Sequence, residues 1–222
     1  MREIVLDTET TGLDPKDHRL VEIGCLELKY HVPTGRTYHT YLNPERPMSA
    51  GAFEVHGLDD AFLAGQPLFG AVADDLLEFM GDDPLVIHNA QFDLGFLNRE
   101  LARVGRDGLA AARAIDTVAL ARRKFPGAPA NLDALCKRFG IDASSRVKHG
   151  ALLDAELLAQ VYLELIGGSQ PGLELAAEQR AEESGPVTRE ARPPRPHAPT
   201  AEESVRHSAF LDAEIADPIW RR

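Results

Sequence analysis

The sequence predicts an α/β fold on three observations. Two short unbroken apolar runs, Ile4-Val5-Leu6 and Leu85-Val86-Ile87, suit strands covered on both faces. Each run ends in chemistry-bearing residues, Asp7-Thr8-Glu9 after one and His88-Asn89 after the other. Stretches with apolar residues at helical spacing lie between and after them. In open α/β sheets, ligands collect beyond the strand ends.

The first strand carries the leading candidate site. Its side chains alternate with period two, so Asp7 and Glu9 point to the same side before the Thr11-Gly12 turn. Neighbouring carboxylates repel unless a proton or cation intervenes. A hard divalent cation with oxygen ligands, Mg²⁺ or Mn²⁺, allows both to stay ionised. The same Asp-x-Glu spacing recurs at Asp154/Glu156 and Asp212/Glu214, but in helix-like sequence, where such residues diverge. The alternative for Asp7 and Glu9 is a solvated strand end.

Residues 20–30 alternate apolar and polar from Val21 onward, which predicts a half-exposed strand. Pro33-Thr34-Gly35 reads as a turn, and Arg36 to Leu42 as the next strand. Residues 48–65 read as irregular, with short helical pieces around Phe53 to Leu58. A helix is expected from about Leu68 to Met80, with Leu68, Val72, Leu76 and Phe79 on one face and Gly81 as its stop. After the 85–87 strand, a helix opens at His88 to Asp93 and carries Leu94, Leu97, Leu101 and Val104 on its core face. Asp93 lies in its first turn, where the helix dipole alone favours an acid by about 0.3–1 kcal/mol. Ala114-Ile115-Asp116 reads as an edge strand leading into helix 117–124, which Pro126-Gly127 breaks. Asn131 caps a helix bearing Leu132, Leu135 and Cys136. A last long helix runs from about Ala151 to Ile166 and ends at Gly167-Gly168. Cys25 and Cys136 sit in apolar stretches, as buried reduced thiols do.

The 222 residues are 44% apolar, enough for one sizeable core and a tail. Residues 1–169 hold all the periodic segments. Residues 170–204 hold six prolines, no aromatics and charges of both signs, so they read as a disordered linker. Residues 205–222 recover apolar content in Val205, Phe210, Leu211, Ile215, Ile219 and Trp220, as a docking segment would. The net charge of −11 argues against strong autonomous nucleic-acid binding. It leaves room for an enzyme that handles a nucleic-acid end while a partner holds the rest. No apolar run is long enough to cross a bilayer, and Met1-Arg2-Glu3 leads straight into the first strand without a signal peptide. The expected location is cytoplasmic.

A second constellation lies ahead of the last long helix. His149 sits on the entering loop and can fold back over Asp154, one turn into the helix. Taken singly, these are an exposed loop histidine and a first-turn acid. Together with Asp7, Glu9 and Asp93, they make four carboxylates, which suit two divalent cations in a phosphodiester displacement. A histidine beside them suits a general base.

Asp7-x-Glu9 with Thr10-Thr11-Gly12, His88-Asn89-Ala90-x-Phe92-Asp93-x-x-Phe96-Leu97 and His149-x4-Asp154 resemble the three motifs of the DEDDh 3′–5′ exonucleases. Val55-His56-Gly57, the run from Asn131 to Cys136 and the run from His149 to Ala155 look most like the proofreading subunits of bacterial DNA polymerase III. The resemblance spans roughly residues 2–168, and Trp220-Arg221-Arg222 extends it at the tail. It implies a ribonuclease-H-like fold, a five-stranded mixed sheet flanked by helices. It implies hydrolysis of the 3′-terminal phosphodiester of single-stranded or frayed DNA, releasing nucleoside 5′-monophosphates. By resemblance, Asp7 bridges both metals, Glu9 and Asp154 complete the first metal's shell, Asp93 supports the second, and His149 takes the proton from the attacking water. Thr10, Leu13, His56 and Phe92 are the implied contacts to the terminal nucleotides. Residues 201–222 would dock on the alpha subunit, the polymerase. The linker shows no glutamine-led clamp-binding motif. Two other readings are a stand-alone DEDDh nuclease acting on RNA or DNA ends, against which the tail speaks, and a non-catalytic scaffold, against which the intact acids speak.

Overall fold

The computed structural model describes residues 1–144, 148–168 and 198–214. They fall into two units, one before and one after position 174. The first opens with β1 (Arg2–Thr10), β2 (Leu20–Lys29) and β3 (Val32–Tyr41). Short helices α1 (Ala50–His56) and α2 (Asp60–Ala64) follow, then α3 (Phe69–Met80), β4 (Leu85–Ile87) and α4 (Ala90–Arg103). The unit closes with β5 (Ala114–Asp116), α5 (Thr117–Lys124), α6 (Leu132–Phe139) and α7 (Ala151–Leu165). The sheet order is β3-β2-β1-β4-β5, with β1 antiparallel to β2 and parallel to β4.

The apolar run of β1 divides between two cores. Ile4 and Leu6 join Leu76, Met80, Phe96 and Leu97 on the α3/α4 side. Val5 joins Leu135, Cys136, Leu158 and Val161 on the α6/α7 side. A strand buried on both faces needs no polar alternation, and this one shows none from Ile4 to Leu6. Helix α5 begins and ends at the expected residues, capped by Asp116, whose carboxylate accepts from the Val118 N–H at 2.9 Å. Asn131 caps α6 by accepting from the Ala134 N–H at 2.8 Å. Both cysteines are buried free thiols.

Four local expectations are corrected. β2 is not half-exposed, because its polar positions are buried against specific partners. The Glu22 carboxylate meets His39 Nε2 at 2.7 Å, and Glu27 pairs with Arg36 at 2.9 Å and with Arg2. The β2–β3 turn lies at Tyr30-His31, both with positive φ, and Pro33 to Gly35 already belong to β3. Proline is tolerated there because β3 is an edge strand. The buried face of α3 is Phe69, Ala73, Leu76 and Met80, one position round from expectation. Leu68 is the extended N-cap, so the helix starts a residue later, with Val72 and Phe79 at the margin of the core. Val104 likewise caps α4 from outside the helix and is part-exposed.

The second unit contains helix α8 (Ala201–Glu214). The hydroxyl of Thr200 accepts from the Glu203 N–H at 3.2 Å, and the Glu203 carboxylate accepts from the Thr200 N–H at 2.8 Å. This reciprocal capping box starts the helix four residues ahead of Val205. Val205 and Phe210 are exposed on it. Most of the expected linker, together with Ile215, Ile219 and Trp220, lies outside the described residues. No described helix is long and apolar enough to cross a membrane.

Candidate active site

The site is assembled at the end of β1. A register shift between Glu9 and Thr10 marks a bulge there, a device that re-aims side chains at strand ends. Asp7 pairs in register with Gly24 of β2. A Cβ at Gly24 would lie 2.3 Å from the Leu152 nitrogen and 2.4 Å from the Ala151 carbonyl carbon. The first turn of α7 therefore rests directly on the β2 backbone beside Asp7, and only glycine permits that approach. This contact carries Asp154, buried in the first turn of α7, to Glu9. One ligand atom each from Glu9, His149 and Asp154 lie within 4.8 Å of one another.

His149 is fixed from two sides. Its Nδ1 stands 3.1 Å from Asp154 Oδ2, and its backbone N–H donates to the Val55 carbonyl at 3.2 Å. The neighbouring Lys148 ammonium donates to the Glu54 carbonyl at 2.7 Å. The loop ahead of α7 is thus stapled to the last turn of α1. With Nδ1–H donating to Asp154, Nε2 is the basic nitrogen of the ring.

Asp93 arrives from the opposite face of the sheet. Thr8, which alternates away from Asp7 and Glu9, donates its hydroxyl to Asp93 Oδ1 at 2.7 Å. Burial pushes the Asp93 carboxyl up to about 7, against the pull of the Thr8 hydrogen bond, and the Asp116 charge adds to the rise. A cleft of about 260 Å³ is lined by all five predicted residues, Asp7, Glu9, Asp93, His149 and Asp154, together with Thr8, His88, Phe92, Asn131, Leu132 and Asp133.

Residues 4–162 match the exonuclease family. The chain is 48% identical to the DNA polymerase III subunit epsilon of Rickettsia felis, over 96% of both chains. It is 42% identical to the subunit of the same name from Escherichia coli K12, over 95% of this chain and 92% of that one. It belongs to the DEDDh family of metal-dependent 3′–5′ exonucleases, in the epsilon-subunit branch. The solved structure of exonuclease X in complex with 5′ overhanging duplex DNA shares the fold, with a TM-score of 0.60 and 26% identity over 75% of this chain and 92% of that one.

The donor set of this exonuclease fits divalent metal ions. It offers carboxylate oxygens and an imidazole nitrogen in one small group, with Asp7 and Asp93 lining the same cleft outside that group. A buried carboxyl lifted towards neutrality is also what a cation would return to its charged form.

Beside the catalytic cleft lies a mostly apolar groove of about 680 Å³, which shares Thr8, Glu9 and Phe92 with it. All four residues expected to meet the terminal nucleotides line this groove: Thr10, Leu13, His56 and Phe92. Leu13 is 84% exposed, a large apolar side chain standing free at the rim. His56 is buried and bonded at both nitrogens. Its Nδ1 accepts from the Leu58 N–H at 3.1 Å, so Nε2 carries the proton and faces the Thr10 carbonyl at 3.3 Å. Burial lowers its pKa, consistent with this neutral tautomer. His56 therefore braces the end of β1 as well as lining the groove.

Sequence reasoning missed Thr8, Gly24 and Lys148 in this exonuclease. Thr8 carries no signal of its own between the two acids, because its partner Asp93 lies 85 positions away. Gly24 was passed over within the β2 pattern, although an isolated strand glycine is itself a sign of close backbone approach. Lys148 carried no local signal, because its partner Glu54 lies 94 positions away.

Proposed function

We propose that this chain is the proofreading exonuclease of a bacterial replicative DNA polymerase, hydrolysing the 3′-terminal phosphodiester of DNA and releasing nucleoside 5′-monophosphates. The observation that carries this reading is the convergence of Glu9, His149 and Asp154 within 4.8 Å in a cleft that Asp7 and Asp93 also line. Asp7, Glu9 and Asp154 would hold one divalent cation and Asp93 would help to hold a second, Mg²⁺ or Mn²⁺ in each case. When bound, such cations neutralise the acids and stabilise charge on the attacking and leaving oxygens.

The chain's own groups do the rest. His149, held by Asp154 through Nδ1, accepts the proton of the attacking water at Nε2. The backbone hydrogen bond from His149 to Val55 couples the base to α1, a wall of the apolar groove. In that groove the terminal base lies against Leu13 and Phe92, and only an unpaired base can enter. Mismatched ends, which unpair at lower cost, are therefore cut faster. Residues 201–222 dock on the alpha subunit while the acidic nuclease domain leaves most DNA binding to that partner. Such a role places the chain in the cytoplasm, as residues 1–169 followed by a tether and a docking segment.

The experiment compares the full chain, Asp7→Ala and a chain ending at residue 169 on a 3′-labelled single strand. The full chain and the shortened one should release mononucleotides with Mg²⁺ and stop in EDTA, while Asp7→Ala should fall to background. Only the shortened chain should fail to co-purify with the alpha subunit. Near-normal release by Asp7→Ala would remove the assigned site.

A further inference from the structure

We propose that a second groove, between α5 and the segment ahead of α6, binds backbone phosphates of the DNA strand upstream of the scissile bond, with Arg122 as its charged contact. This rests on the exonuclease reading above. The groove measures about 670 Å³, and Gln91, Asp116, Arg122 and Pro129 are among its walls. It shares His88 and Asn131 with the catalytic cleft. The apolar groove shares a different set with that cleft, Thr8, Glu9 and Phe92. The cleft therefore adjoins two grooves through different residues. The scissile phosphate joins one departing nucleoside to the strand that remains. With the departing nucleoside in the apolar groove, the remaining strand leaves across the other.

The charges fit that path. Arg122 belongs to Arg122-Arg123-Lys124, the one run of three basic residues in a chain of net charge −11. Several other cations are committed within the fold. Arg19 and Arg103 hold Glu100, Arg113 holds the Gly81 carbonyl, and Lys124 holds the Glu164 and Leu165 carbonyls at the end of α7. The guanidinium of Arg122, exposed at the end of α5, makes no hydrogen bond or ion pair with another described residue. The one carboxylate in the groove, Asp116, is engaged, with Oδ1 accepting from the N–H groups of Val118 and Asn89 at 2.9 and 3.2 Å. A guanidinium on such a wall matches a phosphate in charge and in its fork of donors.

The test uses the full chain, Arg122→Gln and Arg122→Lys on two substrates. One is a short single-stranded deoxyoligonucleotide. The other is the p-nitrophenyl ester of thymidine 5′-monophosphate, which presents the departing nucleotide but no upstream strand. Arg122→Gln should raise KM for the oligonucleotide several-fold at unchanged kcat, leave ester hydrolysis untouched, and flatten the salt dependence of log KM by about 0.7, the value for one phosphate on a single strand. Arg122→Lys should recover most of the loss, since a point charge still meets the phosphate. An unchanged oligonucleotide KM and salt slope in Arg122→Gln would overturn the groove. Ester hydrolysis falling in step would overturn it too, by placing the effect in the cleft. A wild-type chain that cleaves neither substrate would defeat the exonuclease reading itself, whereas an active wild type matched by Arg122→Gln defeats only the groove.

Discussion

On the α7 face of β1, Glu9, His149 and Asp154 meet because Gly24 lets a helix lie on bare strand backbone. On the α4 face, Asp93 reaches the same cleft as a single buried acid, steadied by Thr8 and pushed up to about 7 by burial. The first half of the site is fixed by steric contact between backbones. The second is governed by desolvation of one charge. The assembly of the first should therefore be sensitive to added volume, and the stability cost of the second to pH and to cations, although both serve one cleft. The three predictions below probe that contrast, from the largest expected effect to the smallest.

On the α7 face, His149→Ala should lower kcat by ~10²–10⁴-fold, the usual contribution of a positioned general base. Metal binding, followed by Mn²⁺ titration, should survive. The two rates should differ in their dependence on pH, because the variant has no general base. Matching pH profiles in the two proteins would take His149 out of the mechanism.

Gly24→Ala probes the steric half alone. The new Cβ meets backbone atoms of Ala151 and Leu152, not a flexible side chain, so α7 must move. Misplacement by about 1 Å can cost about 10²-fold in rate. We expect a kcat lower by that order with the fold retained in circular dichroism, and an unaltered stability response to pH. Full activity in Gly24→Ala would mean that the close approach does not position Asp154.

Asp93→Asn probes the electrostatic half. The folded chain keeps a proton on Asp93 up to about 7, whereas a free aspartate gives it up near 3.9. Between those values the folded state binds more protons than the unfolded state, so this carboxyl makes stability fall as pH rises through that window. An amide cannot ionise. In EDTA, wild type and Asp93→Asn should melt alike near pH 4, and the variant should melt several degrees higher at pH 8. Added Mn²⁺ should narrow that gap by stabilising the wild type. Parallel melting curves across the range would show that burial of Asp93 carries no such penalty.

Much of the fold can be read locally. β1, β4, α5 and the Asn131 cap follow from periodicity and capping chemistry, and the motifs of the family resemblance pick out the five candidate site residues. These depend on neighbours within a few positions, which any sequence displays. The errors have a common origin. β2 looked half-exposed because its glutamates alternate with apolar residues, yet Glu22 and Glu27 are buried by partners on other elements. Pro33-Thr34-Gly35 has turn composition, whereas Tyr30 and His31 take the positive φ values.

The sequence by itself therefore determined which acids could share a strand end, that a histidine would precede the last helix, and which segments are helical. Only the tertiary structure decided how those groups meet. Gly24 sets the height of α7 over the sheet through atoms more than a hundred positions away, and Val55 and Glu54 anchor the loop of His149 at a comparable separation. Thr8 and burial together set the state of Asp93 across 85 positions of chain. Local patterns specify elements through short-range sterics and hydrogen bonding, whereas close approach and desolvation exist only once separate elements have packed.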